Sequence, residues 1–160
     1  MDNQIILEQF KKDVVRCLKE TFENVHGIYL DKNTSLFETL ENISAKKASN
    51  SIGENRATIA AHVEHIRFYL DVLNDVMQKE ELVQVDWKAI WQNDGMVTNE
   101  EWEDKKQRLK ESYEQVLNTI KNYDRWEGEY GIAGSLAVLA HTAYHLGSIR
   151  QALGSLTLCI

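Results

Sequence analysis

The chain has 160 residues, of which 43% are apolar and 27% charged, with eight glycines, two cysteines and no proline. At this length one core buries roughly 70% of the surface the unfolded chain exposes, so a single domain over 1–160 is expected, needing neither disulfide nor metal to hold together. The formal net charge of −7 opposes nucleic acid and anionic lipid, whose recognition rests on concentrated Lys and Arg, and neither is expected as a partner.

Average usage would supply proline at about 5% of positions, so its absence points to long uninterrupted helices. The opening, MDNQIILEQFKKD, lacks a basic start and a long apolar run, and no secretory signal is expected. The first segment, Asp2 to about Val25, sets Ile6, Phe10, Val14, Cys17 or Leu18, and Phe22 at spacings of three or four with charged residues between, which predicts an amphipathic helix. A turn at Gly27 follows. Ser35 with Glu38 then makes a capping box that opens a short helical piece through Leu36, Leu40 and Ile43. The polar stretch from Ser44 to Arg56 is expected to be loop, with one turn of helix over Ala45 to Ser49.

From about Thr58 to Lys79, Ile59, Val63, Ile66, Leu70, Leu73 and Met77 form a bundle-type seam, with Glu64, Arg67, Asp71 and Asp75 on the far side. Trp87 and Trp91 stand one turn apart in the next stretch. With Trp102 they could line a pocket, but aromatic residues at helical spacing are more often core, and core is expected. Asn93, Asp94 and Gly95 mark a turn. Thr98 and Glu101 form a second capping box, with Val97 and Trp102 as its hydrophobic staple. The helix that follows, about Asn99 to Tyr123, buries Trp102, Leu109, Tyr113, Val116 and Ile120. The last helix runs from about Gly131 to Leu156. No charged residue occurs between Gly131 and Ile149, yet three glycines, two histidines and several hydroxyls are too many for a lipid-spanning segment, so this helix is expected to be buried in protein. The pattern as a whole predicts an all-α fold: a four-helix bundle with long crossovers that carry short extra helical pieces.

Cys17 and Cys159 have no CxxC or zinc-ribbon spacing and are expected to be reduced, buried thiols of a cytoplasmic protein, a terminal staple or a reactive Cys159 being the alternatives. The histidines say more. His141 and His145 are four apart and stand one above the other on one helix face, so their rings can converge on one ion. Gly134, Ala137, Ser148 and Ala152 on that face are small and leave room for a ligand. His62 and His65 lie three apart on the second helix, and periodicity places His62 nearer the centre of its apolar arc. Each buried imidazole needs partners for its polar nitrogens or incurs ~1–3 kcal/mol of desolvation, and a shared metal satisfies several at once. His26, beside Gly27, is expected to meet the last carbonyls of the first helix. There is no HExxH, phosphate loop or GxSxG elbow, and the single ExxH, Glu23 with His26, disfavours a di-metal carboxylate site.

The segment Thr58-Ile59-Ala60-Ala61-His62-Val63-Glu64-His65-Ile66 resembles the start of the second helix in the DinB/YfiT-like superfamily, where Ser or Thr followed by Ile precedes a ligand His by seven positions. His141-Thr142-Ala143-Tyr144-His145-Leu146-Gly147-Ser148-Ile149 resembles the HxxxHxGQI signature of the same superfamily, with Ser148 in place of the usual Gln. The resemblance implies an up-down-down-up bundle, usually a homodimer, with His65, His141 and His145 holding a divalent ion such as zinc or nickel. It selects His65 over His62, which becomes a neighbour of the site or a fourth ligand. Characterised members act on low-molecular-weight thiols, so the resemblance implies a metal-dependent thiol S-transferase with a small-molecule substrate, which Tyr144 and Arg150 are candidates to bind. Two other functions stay open: a metal-dependent hydrolase, whose base would have to come from the Glu127 to Glu129 loop, and a non-catalytic metal-binding bundle that docks a partner.

Overall fold

A computed structural model describes residues 3–51, 57–82, 84–87, 91, 95–126 and 128–158. It is all-helical, with no strand among the described residues. Four long helices, α1 (Asn3–Phe22), α4 (Ile59–Lys79), α5 (Asn99–Asn122) and α6 (Gly131–Leu158), are joined by two short ones, α2 (Leu36–Glu41) and α3 (Ala45–Ala48).

The helix starts follow the local chemistry. Ser35 and Thr98 cap α2 and α5, and each has the reciprocal Glu of a capping box, Glu38 and Glu101. Thr58 caps α4 by accepting from the Ala61 N–H. At the other end of α4, Glu80 takes a left-handed conformation (φ 57°), and its N–H closes on the Val76 carbonyl. The expected turn of helix after Ser44 is present as α3.

Helix α1 ends at Phe22, three residues earlier than its periodicity suggests, because the chain then folds around the Glu20 carboxylate. Oε1 accepts from the Ile28, Tyr29 and Leu30 N–H groups at 2.6–3.0 Å, and Oε2 accepts from His26 and Ile28. Gly27, at φ +78°, makes that curl possible. His26 therefore takes part through its backbone N–H, and its side chain is exposed, contrary to the helix-end role expected of it.

Each long helix packs on two others: α4 on α5 and α6, and α1 on the same pair. Cross-helix contacts fix the directions. Lys105 meets Glu64 and Thr119 meets Asn74, so α4 and α5 are parallel. His62 meets His145 while Met77 lies against Gly134, so α4 and α6 are antiparallel. Phe22 stacks on Tyr113 while Phe10 meets Trp126, so α1 and α5 are antiparallel. Parallel neighbours need a connection that returns the length of the first helix, ~30 Å for 21 residues. On the way from α4 to α5, Trp87 and Trp91 lie back alongside α4, against His65.

The core includes Val14, Leu18, Phe22, Ile66, Leu70, Met77, Leu109, Val116 and Ile120, together with Trp102, whose indole N–H donates to the Ile43 carbonyl. Ile6, expected on the buried face of α1, is 54% exposed, because at that end of α1 only Ile132 faces it across a shallow groove. The larger departure is α6. Two neighbours cover only part of its circumference, leaving Ile132, Leu136 and Tyr144 in solvent where complete burial is expected from composition. Even so, no helix of the described residues is long and apolar enough to cross a membrane. Cys17 is a free, half-buried thiol, not a fully buried one, and Cys159 lies outside the described residues.

Gly131 shows how tightly α6 is seated. A Cβ there would lie 2.7 Å from Tyr123 Cε1 and 3.0 Å from the Trp126 Cα. Tyr123 is buried and Trp126 Cα is backbone, so neither yields cheaply. Gly131→Ala is expected to cost ~1–3 kcal/mol by urea unfolding, although the same change at an open helical site stabilises.

Candidate metal centre

The facing sides of α4 and α6 build the site. His62, His65 and Tyr69 recur at three and four residues on α4, and His141 and His145 at four on α6, so five rings project into one seam. Ligand nitrogens of His65, His141 and His145 all lie within 4.8 Å of one another, and their ring centroids are 4.5–5.0 Å apart. His65 and His145 are buried and His141 is half-buried. Two buried nitrogens here, His65 Nδ1 and His141 Nε2, have no hydrogen-bond partner. An unmet buried nitrogen costs ~1–3 kcal/mol, and a metal ion would satisfy both together. The donor set therefore fits one divalent ion.

His62 lies behind the three. Its Nδ1 is 3.0 Å from His145 Nδ1, and one of the two must carry the proton. If His145 ligates through Nε2, its Nδ1–H donates to His62, which fixes the tautomer and orientation of the ligand ring. Periodicity had placed His62 deeper than His65; the structure reverses this, because α6 and the Trp91 ring close over His65.

All four imidazoles are held neutral. Burial lowers the pKa of His62 to about 4, assisted by neighbouring His65. His141 is likewise brought to about 4 by burial and His65. His145 is taken to about 3 by burial, then by His141, His65 and His62. Burial also lowers His65. Neutral imidazole is the form that offers a lone pair to a metal.

Aromatic rings line the seam. Trp91 stacks on His65 at 4.2 Å, and Tyr69 stacks on His141 at 3.5 Å. Trp87 lies 5.8 Å from His65 and 5.6 Å from Tyr69. Trp87 and Trp91 are thus lining, and only Trp102 of the three is core. Tyr69 was not singled out from the sequence, although its position one turn after His65 was signal enough. Tyr144 is 71% exposed with its ring 5.0 Å from His145, at the rim of the site. Arg150 is exposed and nine residues beyond His141, about 180° round the helix.

Two expectations change. Gly134 does not leave room for a ligand; it admits Met77, whose Cγ would lie 3.0 Å from a Cβ at that position. Nor is Glu129, in the connection before α6, placed to supply a base. Arg125 pins that connection to the far end of α4 by donating to the Gln78 carbonyl at 2.9 Å, thirteen residues and ~20 Å along the helix from His65. Glu129 is exposed there, and Glu127 lies outside the described residues.

Fold and site together define an all-helical protein with a largely buried three-histidine cluster spaced so that it could hold one metal ion. No protein-family model, curated protein or solved structure matches the chain.

Proposed function

We propose that the chain is a metal-dependent enzyme of the kind its two motifs resemble, with His65, His141 and His145 holding zinc or nickel and a low-molecular-weight thiol as the activated substrate. The observation that carries this reading is the convergence of three neutral histidines, two buried and one half-buried, two of them with buried nitrogens that no other described residue satisfies. An ion held by three neutral imidazoles keeps its full charge and an open position, and so acidifies a thiol or water bound there. The protein's own part is to exclude water with Trp87, Trp91 and Tyr69, and to orient the His145 ring through His62. The helix directions and pairings support an up-down-down-up four-helix bundle of the DinB/YfiT-like superfamily. Among the described residues no acid joins the clustered ligands and Glu129 lies at the far end of α4, which disfavours a hydrolase.

The test is metal content in protein purified without a histidine tag, beside His65→Ala. Near-stoichiometric zinc or nickel in the first and loss in the second supports the site, whereas equal content in the two overturns it. Conjugation of bacillithiol to monochlorobimane, lost on chelation, supports the enzyme. Chelation that lowers the melting temperature sharply, with no conjugation before or after, favours a structural ion.

Self-association as a homodimer belongs to the same reading. In an acidic chain, the exposed side of α6 around Ile132, Leu136 and Tyr144 is free of charge for nineteen residues, so two copies can meet there by two-fold symmetry without repulsion. Sedimentation is expected to give a dimer that Leu136→Lys converts to monomer; a monomeric parent chain rejects the interface.

A further inference from the structure

An open groove of about 870 Å3 runs between α4, α5 and residues 84–86, on the face of α4 next to the histidines. Its size falls in the range of small-molecule sites. Phe68, Val72 and Val85 give it an apolar floor. Two polar side chains in its lining are more than nine-tenths buried, Asn74 and Ser112. Gln78 Nε2 donates to Thr119 Oγ1, which donates in turn to Asn74 Oδ1. The Asn74 oxygen is thereby used and its Nδ2 group left facing the groove without a partner among the described residues. The Ser112 hydroxyl has none either. Each therefore offers a hydrogen bond to a molecule lying in the groove.

The rim has a sign. Asp71, Asp75, Asp86 and Glu111 line it against Arg67 and Arg108; Arg67 is engaged with Glu64 and Asp71, Asp75 with Lys79, and Arg108 with Asp104. Glu111 accepts only from neutral Gln107. Trp87 stands between the groove and the metal centre, its ring 5.9 Å from that of Phe68 in the groove lining and 5.8 Å from that of His65.

We infer that this groove binds a small organic molecule carrying a protonated amine, with its apolar flank on Phe68 and Val72 and its polar groups on Asn74 and Ser112. Binding in the groove needs no metal, and it is tested on metal-free protein.

The probe is benzylamine, titrated into metal-free protein and followed by amide and indole NMR shifts, with benzoate and benzyl alcohol as controls. Saturable shifts at the Asn74 side-chain amide, Ser112, Val72 and the Trp87 indole, absent with benzoate, support the inference. Ser112→Val is expected to weaken binding about tenfold and Glu111→Lys about fivefold, the second being an exposed position that leaves folding intact. Non-saturating shifts, tighter binding of benzoate in the groove, or unchanged affinity in both variants would overturn it. Because metal content is measured separately, failure here leaves the three-histidine site standing, and failure of that site leaves the groove testable.

Discussion

Glu20→Gln is expected to destabilise the protein by ~2–4 kcal/mol at neutral pH, one of the largest effects of any single substitution outside the histidines. The carboxylate is fully buried and accepts from four backbone N–H groups, those of His26, Ile28, Tyr29 and Leu30. Glutamine keeps the shape but puts an NH2 where one oxygen stood. If Oε1 is retained, that NH2 faces the His26 and Ile28 donors, so donor meets donor in a buried site. The pH dependence follows from the same contacts. Burial pushes the Glu20 carboxyl upward, and the N–H groups of Tyr29, Ile28, Leu30 and His26 outweigh it, bringing the pKa from 4.5 to about 2. A folded-state pKa below the unfolded one means that the stabilisation is complete above about pH 4.5 and is lost as pH falls towards 2. Urea unfolding between pH 2 and 7 should therefore show an acid limb in the parent chain that is reduced in the variant. Parallel curves for the two proteins would remove Glu20 from this role.

Nothing in the sequence marks Glu20. It sits beside Lys19 where the helical pattern gives it no distinction, and its partners are backbone groups that any residue carries. Gly27 alone hints at the curl. The capping boxes, by contrast, were fully legible, because side-chain identity and spacing decide them locally. The long helices were legible for the same reason, since apolar spacing and missing proline act within one segment. What periodicity could not supply was the number of neighbours each helix has. It gave α6 a continuous apolar surface but not the exposed strip at Ile132, Leu136 and Tyr144, and it ranked His62 above His65 because depth depends on where α6 and Trp91 fall. The pair His141 and His145 was readable from its own spacing, whereas the choice of His65 came from the motif resemblance. Asn74 and Ser112 carry no sequence signal, being interior only because α4 and α5 run parallel.

His145→Ala and His62→Ala should separate a ligand from the residue that holds it. A structural zinc site binds with ~10–16 kcal/mol, so with three ligands losing one costs ~3–5 kcal/mol, roughly a 10²–10⁴-fold loss in affinity. His145→Ala and His141→Ala are each expected to fall in that range by competitive chelator titration. His62 meets the site through its Nδ1 contact with His145 at 3.0 Å, and loss of such a supporting partner costs about 10–100-fold while one ion per chain is still bound. His62→Gln carries the discriminating information. Its amide oxygen can accept the His145 Nδ1 proton, so part of the affinity should return, whereas a residue that merely filled space would show no rescue. If His62→Ala costs as much as His145→Ala, and His62→Gln does not rescue it, then His62 is a fourth ligand and the site is closed. The open position needed for thiol chemistry would then be gone, and the ion would be structural.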